Sequence, residues 1–218
     1  GLVMDTQALG PTRRALIAAG LAAPFPALSQ DFAPRTLVFP RDHGTHNDTR
    51  TEWWYLTGHA KDSAGREFGF QLTFFRSATG LAAHVNSRFA ARQLLLAHAA
   101  VTVLESKAGT GRHLHEQRIA RWSGDPAAAP AGAQLQDAGL TLGNWTLRRQ
   151  GVLWRARLPA GSFSLDLELA PTQPLLLQGQ QGFSRKGPDA RQASHYYSEP
   201  QLAAQVKLSL HNPGRATA

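Results

Sequence analysis

Glu52-Trp53-Trp54-Tyr55 sets a carboxylic acid beside three aromatic rings within four residues. An acid kept protonated by a dry pocket can give its proton to an apolar substrate. Aromatic faces then stabilise the resulting cation by about 0.5–2 kcal/mol each. In a strand, Glu52 and Trp54 share one face, and Trp53 and Tyr55 share the other. The competing role for Glu52 is an ion pair with an arginine such as Arg50 or Arg76, with the tryptophans as core. Upstream, His43 and His46 are spaced so that a metal is conceivable, with Asp42 and Asp48 nearby. No third ligand is fixed, however, and Gly44 and Asn47 favour a hydrogen-bonded loop, so no metal is expected. Arg185 and Lys186, in a glycine-flanked loop, suit either a carboxylate or phosphate head group or a tie between that loop and its surroundings. His195-Tyr196-Tyr197 suits a cavity mouth, where amphipathic rings keep one end wet, as well as it suits a core.

These residues need strands to position them, and the periodicity supplies strands almost throughout. Thr51–Ala60 and Arg66–Ser77 flank the turn at 61–65 as a hairpin, with Phe68, Phe70, Leu72 and Phe74 on one face. Gln93–Lys107 reads as a long strand, and Arg112–Trp122 pairs with it across 108–111. After an Ala/Pro/Gly loop at 125–133, Leu140–Arg149 and Val152–Leu158 form another hairpin about Gln150-Gly151. Ser162–Leu169 alternates strictly between apolar and polar residues. Gln205–His211 alternates too, and Asn212-Pro213-Gly214 after it is a turn signal. The chain then stops at Ala218 with no further strand to pair with it, so truncation is expected there. The fold class expected is all-β: an up-and-down antiparallel barrel rather than a sandwich, because meandering hairpins close their own edges.

Composition narrows the function. The 218 residues include no cysteine, which excludes disulfides, thiolate catalysis and Cys-based metal sites. The net charge is +8, yet the arginines are scattered with no basic run and no nucleic-acid motif, so no nucleic-acid partner is expected. No apolar stretch approaches the ~20 residues of a membrane span; contact with a membrane surface stays open. Arg13-Arg14 precede the short apolar stretch 15–23, and Ala27-Leu28-Ser29 offers a small-x-small cleavage site. Residues 1–29 therefore read as a twin-arginine-type signal peptide, residues 30–218 as the exported domain, and the location as periplasmic.

Several blocks, in order, resemble the carotenoid 1,2-hydratase (hydroxyneurosporene synthase, CrtC/AttH-like) family. They are Phe39–His46 running through Arg50–Gly58, Gly69–Arg76, Pro171–Gly179, Gly182–Gly187 and Ser194–Ser198. The resemblance implies the first of two lipocalin-like domains. It also implies an apolar polyene or lipid-like ligand, and acid-catalysed addition of water to a terminal double bond without a cofactor. Some relatives are periplasmic components encoded with an ABC export system, which implies an alternative: an exported binding protein without catalysis. The family's Trp-Leu-Asp-His-Glu-Trp-Ser block, with its suspected proton donor, follows in the second domain, and this chain ends before it. On the resemblance and the residue types together, Glu52 is the catalytic candidate. His43, His46, Trp53, Trp54, Tyr55, Gln71, Phe74, Arg76, Arg185, Tyr196 and Tyr197 are the ligand-binding candidates.

Overall fold

The computed structural model describes residues 33–80, 90–104, 111–125, 127, 130–188 and 192–211. The expected signal peptide, the turn at 108–110 and the turn at 212–214 lie outside the described residues. Alternating hydrophobic residues drive two antiparallel meanders. The first sheet runs in the order β1 (Thr51–Lys61), β2 (Glu67–Ala78), β3 (Gln93–Leu104) and β4 (Arg112–Trp122). The second comprises β5 (Ala131–Ala133), β6 (Gly139–Leu142), β7 (Trp145–Gln150), β8 (Leu153–Pro159), β9 (Phe163–Pro171) and β14 (Leu202–Leu210). Its spatial order is β14-β9-β8-β7-β6-β5. Between β9 and β14 the chain makes two small ladders, β10 (Leu176–Leu177) with β13 (Tyr197–Ser198), and β11 (Phe183–Arg185) with β12 (Ala193–His195).

The inward parity of each strand is apolar, and the two sheets share one core. Leu72, Phe74, Leu95 and Ala99 from the first sheet join Leu140, Trp145, Leu147, Leu158, Phe163 and Leu165 from the second. Burying such side chains stabilises the fold by roughly 1.5–3 kcal/mol each.

The expectation of an all-β fold holds, but neither sheet closes into a barrel. Among the described residues no ladder joins β4 to β5 or β14 to β1. Near the β14 edge, the backbone groups of β10, β11, β12 and β13 are used in their own short ladders rather than in bridging to β1. Two finer expectations are also corrected. The strand read as Leu140–Arg149 is two strands, because Gly143 takes a positive φ of 63° and turns the chain between β6 and β7. The strand expected to lack a partner, β14, pairs with β9 from Leu202↔Pro171 to Leu210↔Phe163.

Candidate functional site

A cavity of about 900 Å³ opens where the edge strand β1 faces β9 and β14. Such a volume is within the range of small-molecule sites. Its apolar wall comes from both sheets: Trp54, Leu56 and Phe70 on one side, Leu147, Trp154 and Leu169 on the other. Gly58 belongs to the same wall. A Cβ there would sit 2.5 Å from the Phe70 ring, so only glycine lets that ring lie over β1. Lys186 and residues 192–201 complete the lining, and Tyr196 reaches Trp53, their ring centroids 6.4 Å apart.

The polar end is built by the loop before β1. A 3₁₀ turn, Arg41–His43, buries Asp42 and His43. The Asp42 carboxylate accepts hydrogen bonds from the Val38 N–H (2.5 Å), from Arg41 Nη2 (2.9 Å) and from His46 Nε2 (2.8 Å). Burial alone would raise this carboxyl, but Arg41, Val38 and His46 together hold it well below the usual range. His46 donates from its other nitrogen to Glu52 Oε1 at 2.5 Å. With acceptor-only carboxylates at both nitrogens, the ring carries both protons. Burial opposes that charge, but Glu52 and Asp42 outweigh it and raise the imidazole above its ordinary value.

Glu52 is fully engaged as an acceptor. Besides His46 Nδ1, it receives the His46 N–H (2.9 Å), the Thr45 hydroxyl (3.1 Å) and Arg76 Nε (3.3 Å). A protonated acid would have to displace one of these donors, so the geometry assigns Glu52 to holding the loop against β2. Arg76 is wholly buried and donates further to Gln93 Oε1 and to the carbonyls of His46 and Thr49.

His43 lies behind the cavity wall. Its Nδ1 meets the Tyr197 hydroxyl at 2.8 Å, and its Nε2 faces Glu199 Oε1 at 3.7 Å. Phe39, Trp154 and Tyr197 enclose the ring. Burial, helped by the charge of Arg149, pushes this histidine down to about 4, so it is neutral. A neutral ring whose Nδ1 accepts from Tyr197 carries its proton on Nε2, toward Glu199. Burial and the Glu199 charge raise Tyr197 above the ordinary phenol, keeping it a neutral hydroxyl. Glu199 also accepts from Trp154 Nε1 at 2.8 Å, which fixes the indole in the wall.

The structure thus brings His46, Glu52, Trp53, Trp54, Tyr55, Tyr196 and Tyr197 to one cavity, with His43 directly behind Tyr197. Four other candidates do not line it. Gln71 is exposed on the outer face of β2. Phe74 is wholly buried in the core, and Arg76 sits behind Glu52. Arg185 is exposed and donates to the Pro188 carbonyl, closing its own loop. Arg35, Trp154 and Glu199 are among the lining residues that the sequence did not single out as site candidates. Glu199 was within reach, because it follows Tyr197 at strand spacing; Arg35 lies in an irregular segment and offered no periodic signal. No group of three His, Asp or Glu among the described residues is arranged to hold a metal.

The loop also depends on close backbone contact. A Cβ on Gly44 would lie 2.6 Å from the Leu135 carbonyl oxygen, next to the Thr45 N–H bond to Gln134 O at 2.8 Å. Gly44→Ala is therefore expected to lower stability by about 1–3 kcal/mol, seen as an earlier thermal unfolding midpoint. An unchanged midpoint would show that the loop yields freely.

A family model described as AttH-like matches residues 30–217. A crystal structure described as an AttH from Nitrosomonas europaea is 40% identical, with a TM-score of 0.68. The alignment covers 84% of this chain and 52% of that one, so the chain spans about half its length. Among curated proteins none matches. With the family model spanning the described strands and both ends of the cavity, the chain belongs to the AttH-like family.

Proposed function

We propose that this chain is the ligand-binding domain of an exported, periplasmic AttH-like protein, and that it takes a lipid-like or polyene chain into the cavity between β1 and β14. The observation that carries this reading is the cavity itself: about 900 Å³, walled by aromatic and aliphatic side chains from both sheets, with its nearest strand carboxylate, Glu52, already committed to four donors. An apolar chain removed from water there gains roughly 25 cal/mol per Å² buried. In this reading the barrel of the family is opened at the β1–β14 gap to admit the ligand, and a second lipocalin-like domain follows the chain. Trp53, Trp54 and Trp154 line the cavity and report on occupancy. Titration with a long-chain polyene is expected to quench tryptophan fluorescence with saturation, and organic extraction of purified protein to release a lipid. Linear, unsaturable quenching together with an empty extract would overturn the reading.

A second reading, hydration of a double bond, has one observation in its favour. Glu199 is a lining carboxylate beside Trp154 and the neutral His43, so an acid and aromatic faces do meet here, at a different residue from Glu52. Incubation with neurosporene or lycopene should then give a product heavier by one water, abolished by Glu199→Gln.

A further inference from the structure

The charges around the cavity are not balanced by its own side chains. Of the three lining carboxylates, Asp42 and Glu52 are saturated by Arg41, His46 and Arg76, and Glu199 holds Trp154. Two cations of the opening are far less committed. Lys186 Nζ rests on the face of Tyr196, 4.9 Å from its centroid, and no carboxylate lies within salt-bridge distance of it among the described residues. Arg35 only approaches Asp42, at 3.9 Å, and its Nε is buried without a hydrogen-bond partner. The Ser194 hydroxyl is also buried without one. Lys186, Arg35 and Ser194 all belong to the lining of the same cavity, and the charge of Arg35 reaches the neighbouring His195.

Unmet buried donors are costly, each on the order of 1–3 kcal/mol, unless a partner arrives. A purely hydrocarbon ligand supplies none. Extending the proposed ligand-binding role, on which this step rests, we infer that the ligand is an anionic amphiphile: a single apolar chain with a carboxylate or phosphate head. The chain lies against Trp54, Phe70, Trp154 and Leu169. The head takes the charges of Lys186 and of the part-exposed Arg35 guanidinium, and the buried Arg35 Nε and Ser194 hydroxyl reach it once those side chains turn toward it. A planar guanidinium edge and a mobile ammonium suit either acid group. The sequence pointed to the pair Arg185-Lys186 for such a head group; the structure separates them, turning Arg185 outward to Pro188 and leaving Lys186 on the cavity.

The test is a fluorescence titration of the purified chain with three probes of equal chain length: oleate, oleyl phosphate and oleyl alcohol. Both acids, or one of them, should bind at least about tenfold more tightly than the alcohol, the gain expected of a charge-assisted hydrogen bond. Which acid leads tells a carboxylate from a phosphate head. In Lys186→Gln and in Arg35→Gln the ratio of acid to alcohol affinity should fall about fivefold or more. Lys186 is exposed, so its variant tests the idea without endangering the fold. Equal affinity for acid and alcohol, or a ratio that survives both substitutions, overturns the anionic head while leaving an apolar-ligand site standing. If none of the three probes saturates, the binding function falls with it.

Discussion

Replacing Arg76 by methionine is expected to destabilise the chain by about 3–5 kcal/mol, the range for removing one partner of a buried ion pair. The guanidinium has no solvent exposure, and all three of its nitrogens donate: Nε to Glu52 at 3.3 Å, Nη1 to Gln93 at 2.7 Å, and Nη2 to the His46 and Thr49 carbonyls at 2.9 and 3.0 Å and the Thr49 hydroxyl at 2.5 Å. Methionine fills the volume but takes a donor from two backbone carbonyls and from Gln93 Oε1, and one of four donors from the Glu52 carboxylate. For a domain of this size the unfolding midpoint should fall by roughly 10 °C. Urea denaturation of the wild type, Arg76→Met, Glu52→Gln and the double variant separates the pair from its surroundings. The loss in the double variant should fall short of the sum of the two single losses, because both single variants break the same Arg76–Glu52 contact. A loss under about 1 kcal/mol in Arg76→Met would show that the buried network is dispensable, and Glu52 would regain freedom to act as an acid.

The same residue shows why some of the site was legible in the sequence and some was not. Strand parity, read from Phe68, Phe70, Leu72 and Phe74, already puts Gln71 on the opposite face and Arg76 on the inward one. Motif membership drew Gln71, Phe74 and Arg76 into the ligand set; parity alone sends the first outside and buries the other two. The hairpins were legible because each is a local pattern with its own turn. The open gap between β1 and β14 was not, because it depends on whether residues 171–201 pair with the sheets or with themselves, and both outcomes satisfy the same local alternation. The convergence of His46 on both Asp42 and Glu52 is likewise a long-range fact. Loop spacing showed that two carboxylates and two histidines were near in sequence, and Gly44 and Asn47 favoured a hydrogen-bonded loop over a metal, but it could not show which of these groups meet.

Stability between pH 6.5 and 4 is expected to fall with His43 as the largest contributor, and His43→Gln should reduce that dependence; His98 and His195, both lowered by burial, add smaller effects of the same sign. The native ring is held at about 4 against an ordinary 6.5, so the unfolded chain takes up a proton that the folded chain refuses. Its contribution is therefore neutral above 6.5 and turns unfavourable as the pH falls, reaching roughly 3 kcal/mol at pH 4 and below. His46 has the opposite sign: its raised value adds stability that is complete below 6.5 and lost as the pH rises through the folded value. Asp42, lowered, adds stability above its ordinary 3.8 that is lost only at more acid pH. The His46 and Asp42 windows therefore border the His43 window without covering it. Glutamine keeps a polar partner for Tyr197 but cannot titrate there, so its cost at pH 7.5 is one of packing against Phe39 and Trp154. Urea denaturation of both proteins at intervals from pH 7.5 to 4 should show the wild type losing its advantage as the pH falls, the gap narrowing by up to roughly 3 kcal/mol. Parallel curves would mean that His43 accepts a proton in the folded chain as readily as in the unfolded one. Glu199, 3.7 Å from Nε2, would then be closing on a charged ring, and the neutral Tyr197–His43 pair behind the cavity would have to be redrawn as an ion pair.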